Sequence, residues 1–264
     1  LATSKLLLAP EQKGVIQFIG SFLFGSFPQQ AYAPLLGLLR DQGYSIVLYR
    51  FPLNPLQFNH WEVAIGLYRE QLKIRALLSS YGEPPAFSWL GHSLGCKFIV
   101  LLEVLSHAPL RRQELLRTVL GAAAASELLR QIESSWPAPP FIRDQPSVFL
   151  APEISNTVRL LRSSWRLRSP GTRPNQLQTE ELIKGSPELF NLTGLVRFRS
   201  DSIAEDDVSF LEAQLAYRQP YPPLVQDLEG WHFEPLGLHV ETLSRTIVSG
   251  LELLRSRITP NLTL

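Results

Sequence analysis

The chain is expected to adopt an α/β fold, a mostly parallel sheet with helices packed on it, and three observations point that way. Strand-like and helix-like segments alternate at intervals of roughly 30 residues through residue 105, the spacing that crossover connections between parallel strands need. The strand candidates are nearly continuous apolar runs, as in strands covered on both faces. At 264 residues, 45% hydrophobic and 19% charged, the chain suits one large domain.

The elements follow in order. Gly14 to Gly20 reads as a buried strand and Ser21 to Phe27 as a loop. Pro28 opens a helix with apolar positions at Ala31, Leu35, Leu36 and Leu39, which Gly43 closes as a C-terminal cap. Tyr44 to Tyr49 is the next strand, and Pro52 to Phe58 a proline-interrupted loop. A long helix runs from Asn59 or His60 through Trp61, Ile65, Leu67, Leu72 and Leu77 to Gly82.

Thr118 to Ala125 is read as a further strand. From about Ser126 to Phe190 the chain is rich in proline and arginine, and this span is expected to form a cap or lid inserted over the sheet. Within it Arg159, Arg162, Arg166 and Arg168 surround Trp165. They read as a solvated face, with an anion-binding rim as the sharper alternative. Trp136, Phe141, Phe149, Leu150 and Trp165 either pack this region or line a pocket. Asn191 to Phe198 and Leu224 to Leu228 are strands, and Ser209 to Ala216 and Glu241 to Leu254 are helices.

The chemistry concentrates at Gly91-His92-Ser93-Leu94-Gly95, set between an apolar strand and an apolar helix. A nucleophilic serine must stand clear of the sheet on a tight, strained turn, and glycines are needed where a Cβ would collide across it. Ser93 would then lie at a helix N-terminus, where amides favour an oxyanion.

A serine hydroxyl needs a base, and the base needs a carboxylate to fix its tautomer, in the chain order serine, acid, histidine. Asp201 is the expected acid and Asp206 the alternative, while Asp206 and Asp207 also suit the first turn of the next helix. His232, between Gly230 and Pro235, is the expected base. His239 suits a capping or surface role, His60 and His92 do not fit the order, and His107 is expected to be exposed. The oxyanion donors are expected to be the backbone amides of Leu94 and Ser21, with Phe22 as the alternative to Ser21.

The net charge of +1 excludes a general attraction to nucleic acid. Cys96, the sole cysteine, permits no intrachain disulfide and suits helix packing, so a reducing compartment, cytosol or plastid stroma, is expected. No apolar run approaches the 18 or more residues of a membrane span, and Lys5 to Ala9 is too short for a secretory signal. A soluble protein with no stable membrane insertion is expected.

The sequence resembles the α/β-hydrolase superfamily over nearly its whole length. Phe18-Ile19-Gly20-Ser21-Phe22 with Gly25 and Pro28, Ala31-Tyr32, Gly43-Tyr44, Asn59-His60, Gly91 to Cys96 and Phe198 to Asp206 look like an α/β-hydrolase-like family of cyanobacteria and plastids described as a domain of unknown function. The resemblance implies an eight-stranded, mostly parallel sheet and a triad of Ser93, Asp201 and His232. The expected activity is hydrolysis of an ester or thioester of a moderately apolar acid through an acyl-enzyme, with a small-molecule acyl substrate and neither cofactor nor metal. An idle binding or assembly factor on the same fold and an acyltransferase are the alternatives.

Overall fold

The computed structural model describes residues 2–51, 59–79, 86–133, 142–143, 145–155, 157–159, 166–168, 172–237 and 239–258. The chain opens with strand β1 (Thr3–Leu7), β2 (Gly14–Ile19), a short helix α1 (Pro28–Ala31), α2 (Ala33–Asp41) and β3 (Tyr44–Arg50). Helix α3 (His60–Ser79) and β4 (Phe87–His92) lead into α4 (Leu94–Leu105), α5 (Pro109–Leu120) and α6 (Ala122–Glu133). Then come β5 (Ser147–Leu150), β6 (Thr157–Arg159), β7 (Arg166–Arg168), α7 (Gln176–Lys184), β8 (Thr193–Phe198), α8 (Glu205–Leu215), β9 (Leu224–Leu228) and α9 (Val240–Ser256).

Seven strands form one sheet in the order β1-β3-β2-β4-β5-β8-β9, parallel throughout except for β1, which pairs antiparallel with β3. Seven strands thus stand, among the described residues, where eight are implied by the resemblance. Strand side chains alternate between two cores, because successive Cβ atoms point to opposite faces. Val15, Ile19, Val47, Tyr49 and Trp89 face α3 and α4, while Ile16, Phe18, Ile46, Leu48 and Leu90 face α2 and α9. With both faces covered, every residue of β2, β4 and β5 is buried.

The fold departs from the expectations at three points. Thr118 to Ala125 is helical, split between α5 and α6 by Gly121 at φ +82°. Four consecutive alanines carry high helix propensity and offer a strand nothing to pack with. β1, an edge strand, was not anticipated, since its residues are half exposed and short. Finally, β5 lies inside the span expected to cap the sheet, yet it pairs with β4 and β8 at the sheet centre. Phe149 and Leu150 are fully buried there, as core rather than pocket lining. Of the arginine group, Arg159, Arg166 and Arg168 lie in the β6–β7 pair, while Arg162, Trp136, Phe141 and Trp165 fall outside the described residues.

Candidate active site

Ser93 sits between the end of β4 and the first residue of α4, at φ 55° and ψ −123°. For a residue with a Cβ this backbone is strained, on the order of 1–3 kcal/mol, and the neighbouring glycines make the turn possible. A Cβ on Gly91 would lie 2.9 Å from the Cys96 backbone, and one on Gly95 would collide with the carbonyl oxygen of Ile19. The turn is held from outside as well, since the Ser93 amide donates to the Leu150 carbonyl at 3.0 Å.

The three side chains singled out by the sequence come together. Ser93 Oγ lies 3.0 Å from His232 Nε2, and His232 Nδ1 lies 2.9 Å from Asp201 Oδ2. The other Asp201 oxygen accepts from the amides of Ile203 at 2.8 Å and Ala204 at 3.1 Å. Burial pushes the Asp201 pKa up, but the His232 ring and these amides outweigh it and hold the carboxyl below its ordinary value. An ionised Asp201 fixes the proton of His232 on Nδ1 and leaves Nε2 free to accept from Ser93.

The two loops meet through a buried chain of hydrogen bonds that sequence reasoning did not anticipate. Burial, then the charge of His232, lower the His92 pKa to about 3, so its ring is neutral. Its Nε2 faces the His232 carbonyl at 2.8 Å and must be the donor there, so Nδ1 accepts from the Tyr32 hydroxyl at 2.7 Å. Tyr32 Oη in turn accepts from the Ser21 amide at 2.9 Å.

That last bond bears on the expected oxyanion donors. The Ser21 amide, expected as one donor, is bonded to the Tyr32 hydroxyl. Among the described residues, the Phe22 and Leu94 amides have no hydrogen-bond acceptor.

A second group of ionisable residues lies around Ser93. Glu153, just after β5, is 7% exposed, and its Oε2 lies 3.2 Å from Ser93 Oγ. Burial pushes its pKa up to about 7, against the opposing influence of His232. Asp207 is not a simple helix-terminal charge. It is buried, and its Oδ2 accepts from the amides of Ile154 at 2.7 Å and Ser155 at 2.9 Å, fixing the loop that carries Glu153. Lys97 on α4 is fully buried, with Nζ donating to the Pro174 carbonyl at 2.8 Å, and burial lowers its pKa to about 7. The available signal for Glu153 was its place just beyond the C-terminal end of a sheet strand, where such folds bind ligands.

The remaining candidates lie elsewhere. Asp206 is exposed on the first turn of α8. His239 is exposed beside Glu234, and His60 is buried at the start of α3. His107, expected at the surface, is instead 1% exposed and contacts Ser186 Oγ at 2.7 Å and Glu188 at 2.8 Å. Cys96 is fully buried, its thiol pushed well above the ordinary value by burial, so it packs the helix. Phe22, Leu23, Phe27 and Trp231 are exposed on the two loops that flank Ser93, with Phe24 and Phe233 in edge contact between them. No three His, Cys, Asp or Glu residues are grouped to hold a metal ion among the described residues. Likewise no described helix is long and apolar enough to cross a membrane.

The family model described as "Protein of unknown function (DUF1350)" matches residues 1–255. The chain belongs to the DUF1350 family. No curated protein matches it. Among solved structures, the DUF1350 chain is similar to a candidate carboxylesterase from Lactobacillus plantarum, at 12% identity and TM-score 0.64, covering 96% of this chain and 98% of that one. It is also similar to Est1E from Butyrivibrio proteoclasticus with ferulic acid bound, at 14% identity and TM-score 0.51, covering 98% and 96%. A dienelactone hydrolase from Anabaena variabilis matches at 11% identity and TM-score 0.51, covering 96% and 91%. At these identities the likeness concerns the fold, and the DUF1350 chain has the α/β-hydrolase fold.

Proposed function

We propose that this protein is a serine hydrolase that cleaves an ester or thioester of a moderately apolar acid through an acyl-enzyme. The observation that carries the reading is the continuous contact from Ser93 Oγ to His232 Nε2 at 3.0 Å and from His232 Nδ1 to Asp201 at 2.9 Å. Ser93 attacks the acyl carbonyl while its proton passes to His232, and Asp201 stabilises the imidazolium that forms. The Leu94 and Phe22 amides receive the oxyanion. His232 then protonates the leaving group, and water attacks the acyl-enzyme by the same route in reverse.

An apolar acyl group is favoured by the rim of Phe22, Leu23, Phe27 and Trp231 on the loops beside Ser93. The span from about 126 to 190, apart from β5, is assigned to substrate covering, in keeping with its proline-rich composition; residues 134–141, 160–165 and 169–171 of it lie outside the described residues. A reducing compartment, cytosol or plastid stroma, is favoured by the single buried Cys96.

The test is labelling by a fluorophosphonate probe, which forms an adduct only with an activated serine, on the protein and on its Ser93→Ala and His232→Ala variants. The expected result is labelling of the parent alone. A folded parent that does not label would make the fold an idle binding or assembly scaffold instead. Supplying alcohol or thiol acceptors with a labelled acyl ester separates hydrolysis from acyl transfer.

A further inference from the structure

The Ser93 hydroxyl has one proton and two acceptors within reach. His232 Nε2 stands at 3.0 Å and Glu153 Oε2 at 3.2 Å. Neither contact is incidental to a loose loop. The Glu153 amide donates to the Ser93 carbonyl at 3.2 Å, and Asp207 grips the next two amides. The turn that delivers Glu153 passes through Ala151 at φ +44°, a left-handed conformation costly for a residue with a Cβ.

We infer that Glu153 is a further catalytic residue, competing with His232 for the Ser93 proton so that its own protonation decides whether the hydroxyl serves the histidine. The inference rests on the hydrolase reading above. With Glu153 neutral, its O–H donates to a lone pair of Ser93 Oγ, and the serine proton points to His232 Nε2. On attack the Oγ–C bond forms, the carbonyl π pair moves to oxygen, the serine proton goes to Nε2, and the Glu153 proton stays in place. With Glu153 ionised, the carboxylate accepts the serine O–H, and His232 is left without the proton it must remove. The anion would also stand beside the developing oxyanion.

The surroundings keep Glu153 neutral well above the ordinary carboxyl range, up to about pH 7. Burial raises the Glu153 pKa to about 7, with His232 opposing, Asp207 on α8 reinforcing, and the Ser93 hydroxyl and Lys97 on α4 opposing. Cys96, the remaining titratable neighbour on α4, is held as a neutral thiol by burial. The competent state therefore lies below about pH 7 on this limb, and the blocked state above it.

The experiment is the second-order rate of fluorophosphonate labelling from pH 5 to pH 9, for the parent and for Glu153→Gln. The parent rate is expected to fall on the alkaline side by about tenfold per pH unit once the carboxyl has ionised. In Glu153→Gln, whose amide can donate to Oγ but cannot ionise, that alkaline limb is absent whatever the absolute rate. A parent profile without an alkaline fall overturns the inference with no variant needed, as does a Glu153→Gln profile that keeps the parent's fall. A folded parent that fails to label at every pH removes the hydrolase reading itself, and the inference with it.

Discussion

The Nε2–H of His92 is donated to the main-chain carbonyl of His232 across 2.8 Å, so the histidine beside the serine in sequence anchors the loop that carries the histidine opposite it. Removing that donor while keeping the bulk should loosen His232 without touching the reacting atoms. For His92→Leu the expectation is a drop of about 1–3 kcal/mol in stability, the cost of a buried carbonyl left without its partner. The labelling rate should fall while the pH profile keeps its shape. His92→Gln, whose side chain can still donate, should recover most of the rate, and thermal melts beside labelling kinetics check both.

Asp201→Asn should keep the fold but lower turnover by about ten-thousand-fold, because a neutral amide no longer fixes the His232 tautomer. Labelling of this variant at the parent's rate would mean that Asp201 does not act on His232.

Acid should destabilise the protein through two neutral buried histidines. Burial, then the charge of Lys97 for His60 and of His232 for His92, lowers both pKa values to about 3. The unfolded chain takes up protons below about pH 6.5 while the folded one resists, so stability present above that value is lost as pH falls from about 6.5 toward 3. Each group contributes a slope of about 1.4 kcal/mol per pH unit in that window. His60→Phe, which keeps a ring beside Phe98 and cannot take up a proton, should show a shallower decline in melting temperature between pH 6.5 and pH 4.5 than the parent.

Gly95→Ala should be costly out of proportion to one methyl group. The new Cβ meets the carbonyl oxygens of Ile19, the last residue of central strand β2, and of Gly20 just after it, backbone atoms that cannot swing aside. A loss of about 3 kcal/mol or more, or recovery only as insoluble protein, is expected from chemical denaturation.

Much of this was legible in the sequence, because local pattern and burial agreed. Gly14 to Gly20 and Tyr44 to Tyr49 read as strands by continuous apolarity, and the strands observed there are Gly14–Ile19 and Tyr44–Arg50. Ser93, Asp201 and His232 emerged from a short motif and the order of elements, and they meet within hydrogen-bonding distance. What local pattern could not carry was contact at long range. Tyr32 and His92 are 60 residues apart and Ser93 and Glu153 are also 60 apart, joined only by the pairing of β4 with its neighbours. β5 was overlooked because it is four residues long and sits in proline-rich surroundings. His107 was placed at the surface because a lone histidine after a helix gives no sign of the Ser186 and Glu188 that receive it.

The hydrogen bonds from Ser21 through Tyr32 and His92 to the His232 main chain couple positions that a mutational library would treat as independent. Randomising position 32 alone should yield almost nothing but tyrosine among active clones, since any other side chain strands both the Ser21 amide and the His92 ring. Randomising positions 32 and 92 together should return a small set of paired solutions, and the strength of that pairing would measure how far the two loops have been selected as one piece.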